Sequence, residues 1–268
     1  MLKQRIITAL WLLPLALYGF FGLQGPAFVA FAGLVMTLGA WEWARLAGVS
    51  VQGGRILYAL ALLATFVGLV LAVPALPVLL LALLWWGVAA LMVMNYPRSS
   101  GWWGGLPGKL LIGALILLPA GVALAWLKGQ EQANLLILTI MLMVWSADIG
   151  AYFFGRAFGK RKLAPQVSPG KSWAGLYGGL FTSLLVALGC GLALGLTAGQ
   201  LPVFLLACAA IVLFSVIGDL TESMFKRTAG IKDSSNLLPG HGGVLDRIDS
   251  LTAALPLFAL LFLLAGWL

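Results

Sequence analysis

Long apolar segments recur along almost the whole chain, and this feature restricts its possible folds more than any other. Each segment is close to the roughly 20 residues that a helix needs to cross the hydrocarbon core of a bilayer. A transmembrane strand would be about 10 residues long with alternating polarity, which these segments lack. Because lipid offers the backbone no hydrogen-bond partner, an uninterrupted apolar segment forms a helix there. The sequence therefore predicts an all-α polytopic integral membrane protein.

The composition excludes other classes of protein. Hydrophobic residues make up 62% of the chain and charged residues only 9%, whereas soluble domains have roughly 25% charged residues. A soluble globular enzyme is thereby excluded. The high apolar fraction also excludes a disordered chain, and two cysteines are too few for a disulfide scaffold.

Hydropathy predicts nine transmembrane helices, with bounds accurate to about two to four residues. The predicted spans are 6–23, 26–43, 56–73, 75–94, 110–127, 135–154, 173–197, 202–221 and 250–268. We interpret residues 1–268 as a single membrane-embedded domain. Residues 1–134 supply the N-terminal spans, and residues 135–268 supply the spans and loops that carry the candidate site.

The basic residues predict the orientation, because short cytoplasmic loops carry the excess of Lys and Arg. With a cytoplasmic N-terminus and nine spans, all of the 16 basic residues except Lys128 lie on the cytoplasmic side, and the C-terminus lies opposite. The chain starts with the basic segment Met-Leu-Lys-Gln-Arg, followed by an apolar segment. We assign this apolar segment to the first span and not to a signal peptide, since no small-residue cleavage site follows. The net charge of +8 is thus explained by topology and does not imply nucleic acid. Anionic cytoplasmic ligands and lipid head groups are its natural partners.

Acidic residues are rare, and most of them lie near one end of the chain. Five of the eight fall between Asp219 and Asp249. Charges in or beside the hydrocarbon region are costly, which favours a functional role. Two loops, 155–172 and 222–249, are predicted to face the cytoplasm and to carry this chemistry.

Four aspartates are candidate ligands for a hard metal ion. Asp148 and Asp219 are predicted to meet at one depth near the cytoplasmic ends of their spans, and Asp246 and Asp249 share one helical face at i, i+3. Oxygen ligands without a Cys or His cluster favour Mg²⁺ or Mn²⁺ over zinc. Two plainer readings stay open. Asp148 would form a buried ion pair, or Asp246 and Asp249 would complement the dipole of the last helix.

Basic and glycine-rich positions are candidates for binding phosphate. Lys226, Arg227, Lys232 and Arg247 supply positive charge beside the aspartates, and Ser223 shares a helical face with Asp219. The segment 240–243, Gly-His-Gly-Gly, allows close approach of backbone N–H groups to phosphate oxygens. Its histidine would either donate to a phosphate or cap the turn.

Three stretches carry a family resemblance. They are Ser223-Met-Phe-Lys-Arg, then Lys232-Asp233, then the run Leu-Pro-Gly-His-Gly-Gly-Val-Leu-Asp-Arg-Ile-Asp at 238–249. Together they resemble the signature of the phosphatidate cytidylyltransferases, also called CDP-diacylglycerol synthases. Segments 148–156 and 168–173 are similar to that family as well, and the multi-span layout extends the resemblance over the full chain. One position departs, because family members often carry a glutamate where this chain has Ala174.

The resemblance implies that a phosphate oxygen of phosphatidic acid attacks the α-phosphorus of CTP, giving CDP-diacylglycerol and pyrophosphate for phospholipid biosynthesis. It implies these catalytic residues: Lys226, Arg227, Asp246, Arg247 and Asp249. The expected substrate-binding residues are Lys171, Ser172, Ser223, Lys232, His241, Gly242 and Gly243. The expected ligands of Mg²⁺ are Asp148, Asp219, Asp246 and Asp249, with Mn²⁺ as a substitute and a monovalent cation as a further ion.

The expected partners are CTP, phosphatidic acid and membrane lipid, with no nucleic acid. A homodimer is a further expectation, because three glycine pairs have the small-xxx-small spacing of close helix pairs: Gly175 and Gly179, Gly191 and Gly195, and Gly195 and Gly199. This spacing equally suits packing within one chain. We expect the bacterial inner membrane, with the active site facing the cytoplasm.

Three rival functions are weighed against this one. An ion-coupled transporter would use Asp148 and Asp219 as a cation relay, but it leaves the charged loop unexplained and no inverted repeat is apparent. A CTP-dependent polyprenol kinase would transfer the terminal phosphate, and the long signature disfavours it. A purely structural membrane protein has little use for clustered carboxylates.

Overall fold

The computed structural model describes residues 2–266, with side chains from residue 4 onward, and this part of the chain is almost entirely helical. Its helices are α1 (Leu2–Leu17), α2 (Gly25–Ala47), α3 (Gln52–Ala72), α4 (Ala75–Met94), α5 (Ser100–Trp103), α6 (Leu106–Lys128), α7 (Ala133–Phe158), α8 (Trp173–Ala193), α9 (Gln200–Thr228) and α10 (Leu245–Ala265). A π-helical turn (Tyr18–Gly22) continues α1. Strands β1 (Lys162–Ala164) and β2 (Ser168–Ser172) form an antiparallel hairpin.

Within residues 2–266, nine helices are long and apolar enough to cross a membrane. The prediction of an all-α protein with nine spans is confirmed. The bounds of most spans agree with the hydropathy reading to within a few residues. The predicted last span ends at 268, and residues 267 and 268 lie outside the part that the structure describes.

Two helices beside the candidate site are longer than predicted. Helix α9 continues to Thr228, seven residues past the predicted end at 221, and α10 begins at Leu245 instead of 250. Hydropathy falls at these charged ends, but helical hydrogen bonding does not depend on side-chain polarity. This end of α9 also packs against the bundle, since the buried ring of Phe225 contacts Trp43 and Trp103 at centroid distances of 4.8 and 4.3 Å.

The predicted loops are correspondingly shorter. The charged loop is 229–244 and not 222–249, so Glu222, Lys226 and Arg227 are helical residues. Its second residue, Gly230, is left-handed at φ 69° and follows the end of α9 in the way glycine commonly does. The predicted loop 155–172 begins within α7 and otherwise contains the β1–β2 hairpin.

Helices α7 and α8 pack with their backbones in contact. A Cβ on Gly179 would lie 2.7 Å from the carbonyl oxygen of Ala147, and one on Gly175 would lie 2.9 Å from that of Ala151. The small-xxx-small spacing of Gly175 and Gly179 therefore serves packing within the chain.

Helix α10 is the most enclosed span, with 67% of its apolar stretch buried, compared with 11% for the first span. It crosses α9 at Gly218, where a Cβ would lie 2.6 Å from the carbonyl oxygen of Asp249. This crossing sets the two helices with the most acidic residues directly against each other.

Two long-range contacts show which helix ends lie on the same side of the bundle. At one end of the bundle, Arg5 of α1 donates to the carbonyl oxygen of Gly240 in loop 229–244. At the other end, Lys128 donates to the carbonyl oxygen of Phe20. The start of α1 and loop 229–244 therefore share one side, as nine spans require.

Candidate active site

The ion pairs among the described residues all lie at the end of the bundle that holds loop 229–244. Lys171 at the end of β2 lies 2.6 Å from Asp219 Oδ2 in α9. Lys226 lies 2.7 Å from Asp246 Oδ1 and 3.0 Å from Glu222 Oε1. The structure thus brings together four residues that the sequence singled out from three separate segments.

Asp219 is held by partners on two elements. Besides its ion pair with Lys171, its Oδ1 accepts a hydrogen bond of 3.1 Å from Ser223 Oγ, one helical turn later. The predicted shared face of Asp219 and Ser223 is therefore present in the structure. This arrangement orients the carboxylate toward the hairpin.

Asp246 is the most highly connected carboxylate of the predicted set. Its Oδ1 accepts from Lys226, and its Oδ2 accepts from Ser234 N, Ser234 Oγ and Gly243 N at 2.8–2.9 Å. These bonds join the end of α9, the charged loop and the first turn of α10. Asp246 thereby gives acceptors to backbone N–H groups of the loop that precedes α10.

Asp148 and Asp249 complete the acidic cluster. Asp148 interacts electrostatically with Lys171, Asp219 and Arg247. Asp249 Oδ1 accepts from Ser250 N at 2.7 Å, and the charges of Asp219 and Lys226 act on it. The predicted proximity of Asp148 and Asp219 therefore agrees with the structure.

The donor set suits a hard cation in its chemistry. Five carboxylates surround two lysines, and buried Glu222 pairs with Lys226 through Oε1, while its Oε2 accepts no hydrogen bond from the residues that the structure describes. Buried charge of one sign needs compensation, and carboxylate oxygens are the ligands that Mg²⁺ prefers. Within the described part of the chain, no three His, Cys, Asp or Glu side chains converge closely enough to hold an ion. Lys171 and Lys226 instead form ion pairs with the carboxylates of Asp219 and Asp246.

Two cavities adjoin this cluster. The first, which we call the hairpin recess, has a volume of about 240 Å³ and is lined by Asp148, Lys171, Ser172 and apolar residues of α7, α8 and α9. The second, the loop cavity, has a volume of about 530 Å³ and is predominantly polar. Its lining includes Arg5, Lys232, Asp233, His241, Gly242 and Arg247. Seven of the predicted site residues line one of these two cavities, three in the hairpin recess and four in the loop cavity.

Three residues of the predicted site make structural contacts. Arg227 Nε donates to the carbonyl oxygen of Val167 in the hairpin at 3.1 Å, away from the carboxylates. Ser172 Oγ caps α8 by accepting from Gly175 N. Gly243 packs so tightly that a Cβ would overlap Ser234 Oγ and Glu42 Oε1. His241 is different, because its Nδ1 is buried without a hydrogen-bond partner among the described residues.

Sequence reasoning missed Glu42, which lies in α2 and is fully buried. Its carboxylate accepts from Ser234 Oγ at 3.1 Å, Ser235 Oγ at 2.5 Å, Val244 N at 3.0 Å and Leu245 N at 2.7 Å. A single carboxylate inside an otherwise apolar span was the signal that could have found it. Glu222 was also missed, because it was assigned to a loop.

The fold and this cluster together define a class of protein, an integral membrane enzyme with a charged site at one end of its helices. The chain belongs to the cytidylyltransferase family, which it matches over residues 3–265. It is 62% identical to a phosphatidate cytidylyltransferase of Pseudomonas aeruginosa, covering 100% of this chain and 99% of that protein. It is 42% identical to the phosphatidate cytidylyltransferase of Haemophilus influenzae and 36% identical to that of Brucella suis, covering 97% of this chain in each case and 98% and 92% of those proteins.

Proposed function

We propose that this chain transfers the cytidylyl group of CTP to phosphatidic acid, giving CDP-diacylglycerol and pyrophosphate. The observation that carries the proposal is its full-length similarity to enzymes named for this reaction. The cluster of carboxylates and lysines at one end of the bundle supports it, because nucleotidyl transfer requires two polyanions to be brought together.

The reaction places defined demands on the site. A phosphate oxygen of phosphatidic acid forms a bond to the α-phosphorus of CTP, and the bond from that phosphorus to the bridging oxygen of pyrophosphate breaks. The attacking phosphate is already ionised, so no strong general base is needed. Cationic side chains stabilise charge that moves to the departing pyrophosphate. Lys226 and Arg247 are suited to this role, since one lies in the carboxylate cluster and the other lines the loop cavity.

The two substrates differ in polarity, as do the two cavities. We assign the triphosphate of CTP to the loop cavity, where Lys232, His241, Gly242 and Arg247 are exposed to it. We assign the phosphate of phosphatidic acid to the hairpin recess, where Lys171 lies among apolar side chains that suit a lipid. Arg227 then acts on the site through the hairpin that carries Lys171.

We further propose that Asp219, Asp246 and Asp249 hold Mg²⁺, with Asp148 beside them, and that Mn²⁺ or a monovalent cation can serve there. The excess of carboxylates over lysines supports this assignment. When bound, the ion would neutralise phosphate charge during the transfer. The lysines that pair with Asp219 and Asp246 would then be available to the substrates.

We also propose the inner membrane as the location, with the N-terminus, loop 229–244 and the site on the cytoplasmic side. The excess of basic residues at that end supports this orientation, and CTP is cytoplasmic. The homodimer stays a prediction, and of the three glycine pairs that favoured it, Gly175 and Gly179 pack against α7 of the same chain. The mass of the detergent-solubilised protein, measured by light scattering, would test it.

The reaction is tested with purified protein, phosphatidic acid, Mg²⁺ and CTP labelled separately at the α- and γ-phosphates. We expect α-label in the lipid fraction and γ-label in pyrophosphate. A parallel reaction contains a polyprenol. Transfer of γ-label to polyprenol would indicate a kinase and contradict the proposal, and absence of label from all lipid would favour a transporter.

A further inference from the structure

The first helix contributes a wall to the loop cavity. Gln4 and Arg5 line it together with residues of loop 229–244, although α1 is far from that loop in sequence. Most of α1 is exposed, with only 11% of its apolar stretch buried. Its packing is therefore concentrated at a few specific contacts, and the contact with the loop is one of them.

Two hydrogen bonds attach α1 to the loop. Thr8, which is 2% exposed, donates its Oγ1 to the carbonyl oxygen of Pro239 at 2.8 Å. Arg5 Nε donates to the carbonyl oxygen of Gly240 at 3.1 Å. Gly240 has a φ of 78°, and a Cβ there would lie 2.9 Å from Arg5 Cγ. The loop thus bends through a left-handed glycine at the point where α1 touches it, and these contacts place the exposed side chain of Arg5 at the cavity.

The guanidinium of Arg5 retains most of its binding capacity. Its Nε is used, but its two Nη groups donate to no residue that the structure describes, and Arg5 forms no ion pair there. The cavity lining carries Arg5, Lys232 and Arg247 against a single carboxylate, Asp233. A cavity with this excess of positive charge suits a polyanion.

We propose that Arg5 is a substrate-binding residue that donates its Nη groups to a phosphate of the nucleotide in the loop cavity. A guanidinium presents parallel N–H donors that match two phosphate oxygens. This inference rests on the proposed function, since it takes CTP as the polyanion. It adds a residue of the first span to a site that the sequence placed within residues 135–268.

A plainer role for Arg5 is to fix the orientation of the first span, as basic residues near helix ends do. Arg55 provides the matched control. It is a basic residue near a helix start that donates Nε to a backbone carbonyl, that of Val49 at 2.7 Å, but it does not line the cavity. Loss of either arginine removes one positive charge, and only Arg5→Gln changes the cavity.

The test measures steady-state kinetics and the binding of CTP and cytidine for wild type, R5Q, R5K and R55Q in detergent. Charged hydrogen bonds contribute enough that we expect R5Q to raise the KM and the Kd of CTP about tenfold or more. We expect kcat, the KM of phosphatidic acid and the affinity for cytidine to change less than about twofold. R5K should recover part of the affinity, and R55Q should match wild type.

Three results would overturn the proposal. An unchanged Kd of CTP in R5Q would remove Arg5 from the nucleotide site. A rise in the KM of phosphatidic acid alone would assign Arg5 to the lipid, and an equal effect of R5Q and R55Q would assign it to membrane orientation. Failure of wild type to transfer α-label would instead contradict the proposed function, while the CTP-binding comparison would still test Arg5.

Discussion

The carboxylate of Glu42, in the second span, accepts a hydrogen bond of 2.7 Å from the backbone N–H of Leu245, the first residue of α10. The same carboxylate accepts from Ser234 Oγ, which also lies 2.8 Å from Asp246 Oδ2. The hydroxyl of Ser234 therefore lies between a carboxylate of α2 and one of α10, with one proton to donate to either. The start of the last helix, and with it the position of Asp246, depends on a residue from the first half of the chain.

Removal of the Glu42 carboxylate should destabilise the protein. Glu42→Ala would leave Ser235 Oγ and two backbone N–H groups without their acceptor, while Ser234 Oγ keeps Asp246, and a loss of about 3 kcal/mol is expected from unsatisfied buried groups. Thermal unfolding in detergent, together with kcat, measures the effect. Glu131→Gln, which changes an exposed glutamate, is the control and should leave both quantities unchanged. An E42A protein as stable and as active as wild type would mean that Glu42 does not position the loop.

Asp246 and Lys226 should act as one unit. Asp246→Asn removes the 2.7 Å ion pair, and Lys226→Met leaves the carboxylate without its cation. Each change alone should lower CTP-dependent turnover at least about a hundredfold, and the double variant should lose less than the product of the two effects because contacting residues couple. The measurement is a double-mutant cycle on kcat/KM. Normal Mg²⁺-dependent turnover in D246N would contradict the assignment of Asp246 as a metal ligand.

Gly243 should tolerate no side chain. A Cβ there would overlap Ser234 Oγ and Glu42 Oε1, and overpacking of this kind typically costs about 1–3 kcal/mol. Gly243→Ala is expected to lower the melting temperature and the turnover together. Gly189→Ala is the matched control, since a Cβ at Gly189 would meet no atom within 4 Å. Equal behaviour of the two variants would show that the loop can move away from Glu42.

Metal removal should abolish turnover. The carboxylates around Lys171 and Lys226 are expected to bind Mg²⁺, so chelation with EDTA should stop the reaction and added Mg²⁺ should restore it, with Mn²⁺ as a weaker substitute. Asp219→Asn should raise the Mg²⁺ concentration needed for half-maximal activity. Asp233→Asn, which changes a cavity carboxylate outside the proposed ligand set, should not raise it. Full activity in EDTA would exclude the proposed metal.

Lys171 should affect the binding of phosphatidic acid, because it lines the hairpin recess. Lys171→Met removes the partner of Asp219 and is expected to raise the KM of phosphatidic acid more than that of CTP. Lys162, an exposed lysine on the other strand of the hairpin, provides the control through Lys162→Met. An effect on CTP alone would move Lys171 to the nucleotide site.

The sequence was sufficient for the spans because their length and hydropathy are local properties of the chain. It also singled out Ser223, Lys226 and Asp246, which lie within one signature, and Asp219, which is a carboxylate near the end of an apolar span. It assigned Glu222 to a loop, because hydropathy marks where polarity rises and not where helical hydrogen bonds end.

Contacts between distant segments could not be predicted in the same way. The bonds from Glu42 to loop 229–244 and from Arg5 to Gly240 join residues separated by about two hundred positions. These bonds depend on which helices become neighbours in the bundle. The pattern of apolar and polar side chains within one span does not specify its neighbours. Arg227 illustrates the same limit, because its charge suggested phosphate binding while its neighbours direct it to the hairpin.

The crossing of α9 and α10 at Gly218 has a mechanical consequence. With the backbone of Asp249 directly against that glycine, any side chain at this position would push α9 and α10 apart. The distance between the carboxylates of α9 and those of α10 therefore depends on the absence of one Cβ. A larger residue at Gly218 would separate Asp219 and Glu222 from Asp246 and Asp249 without altering any of the four.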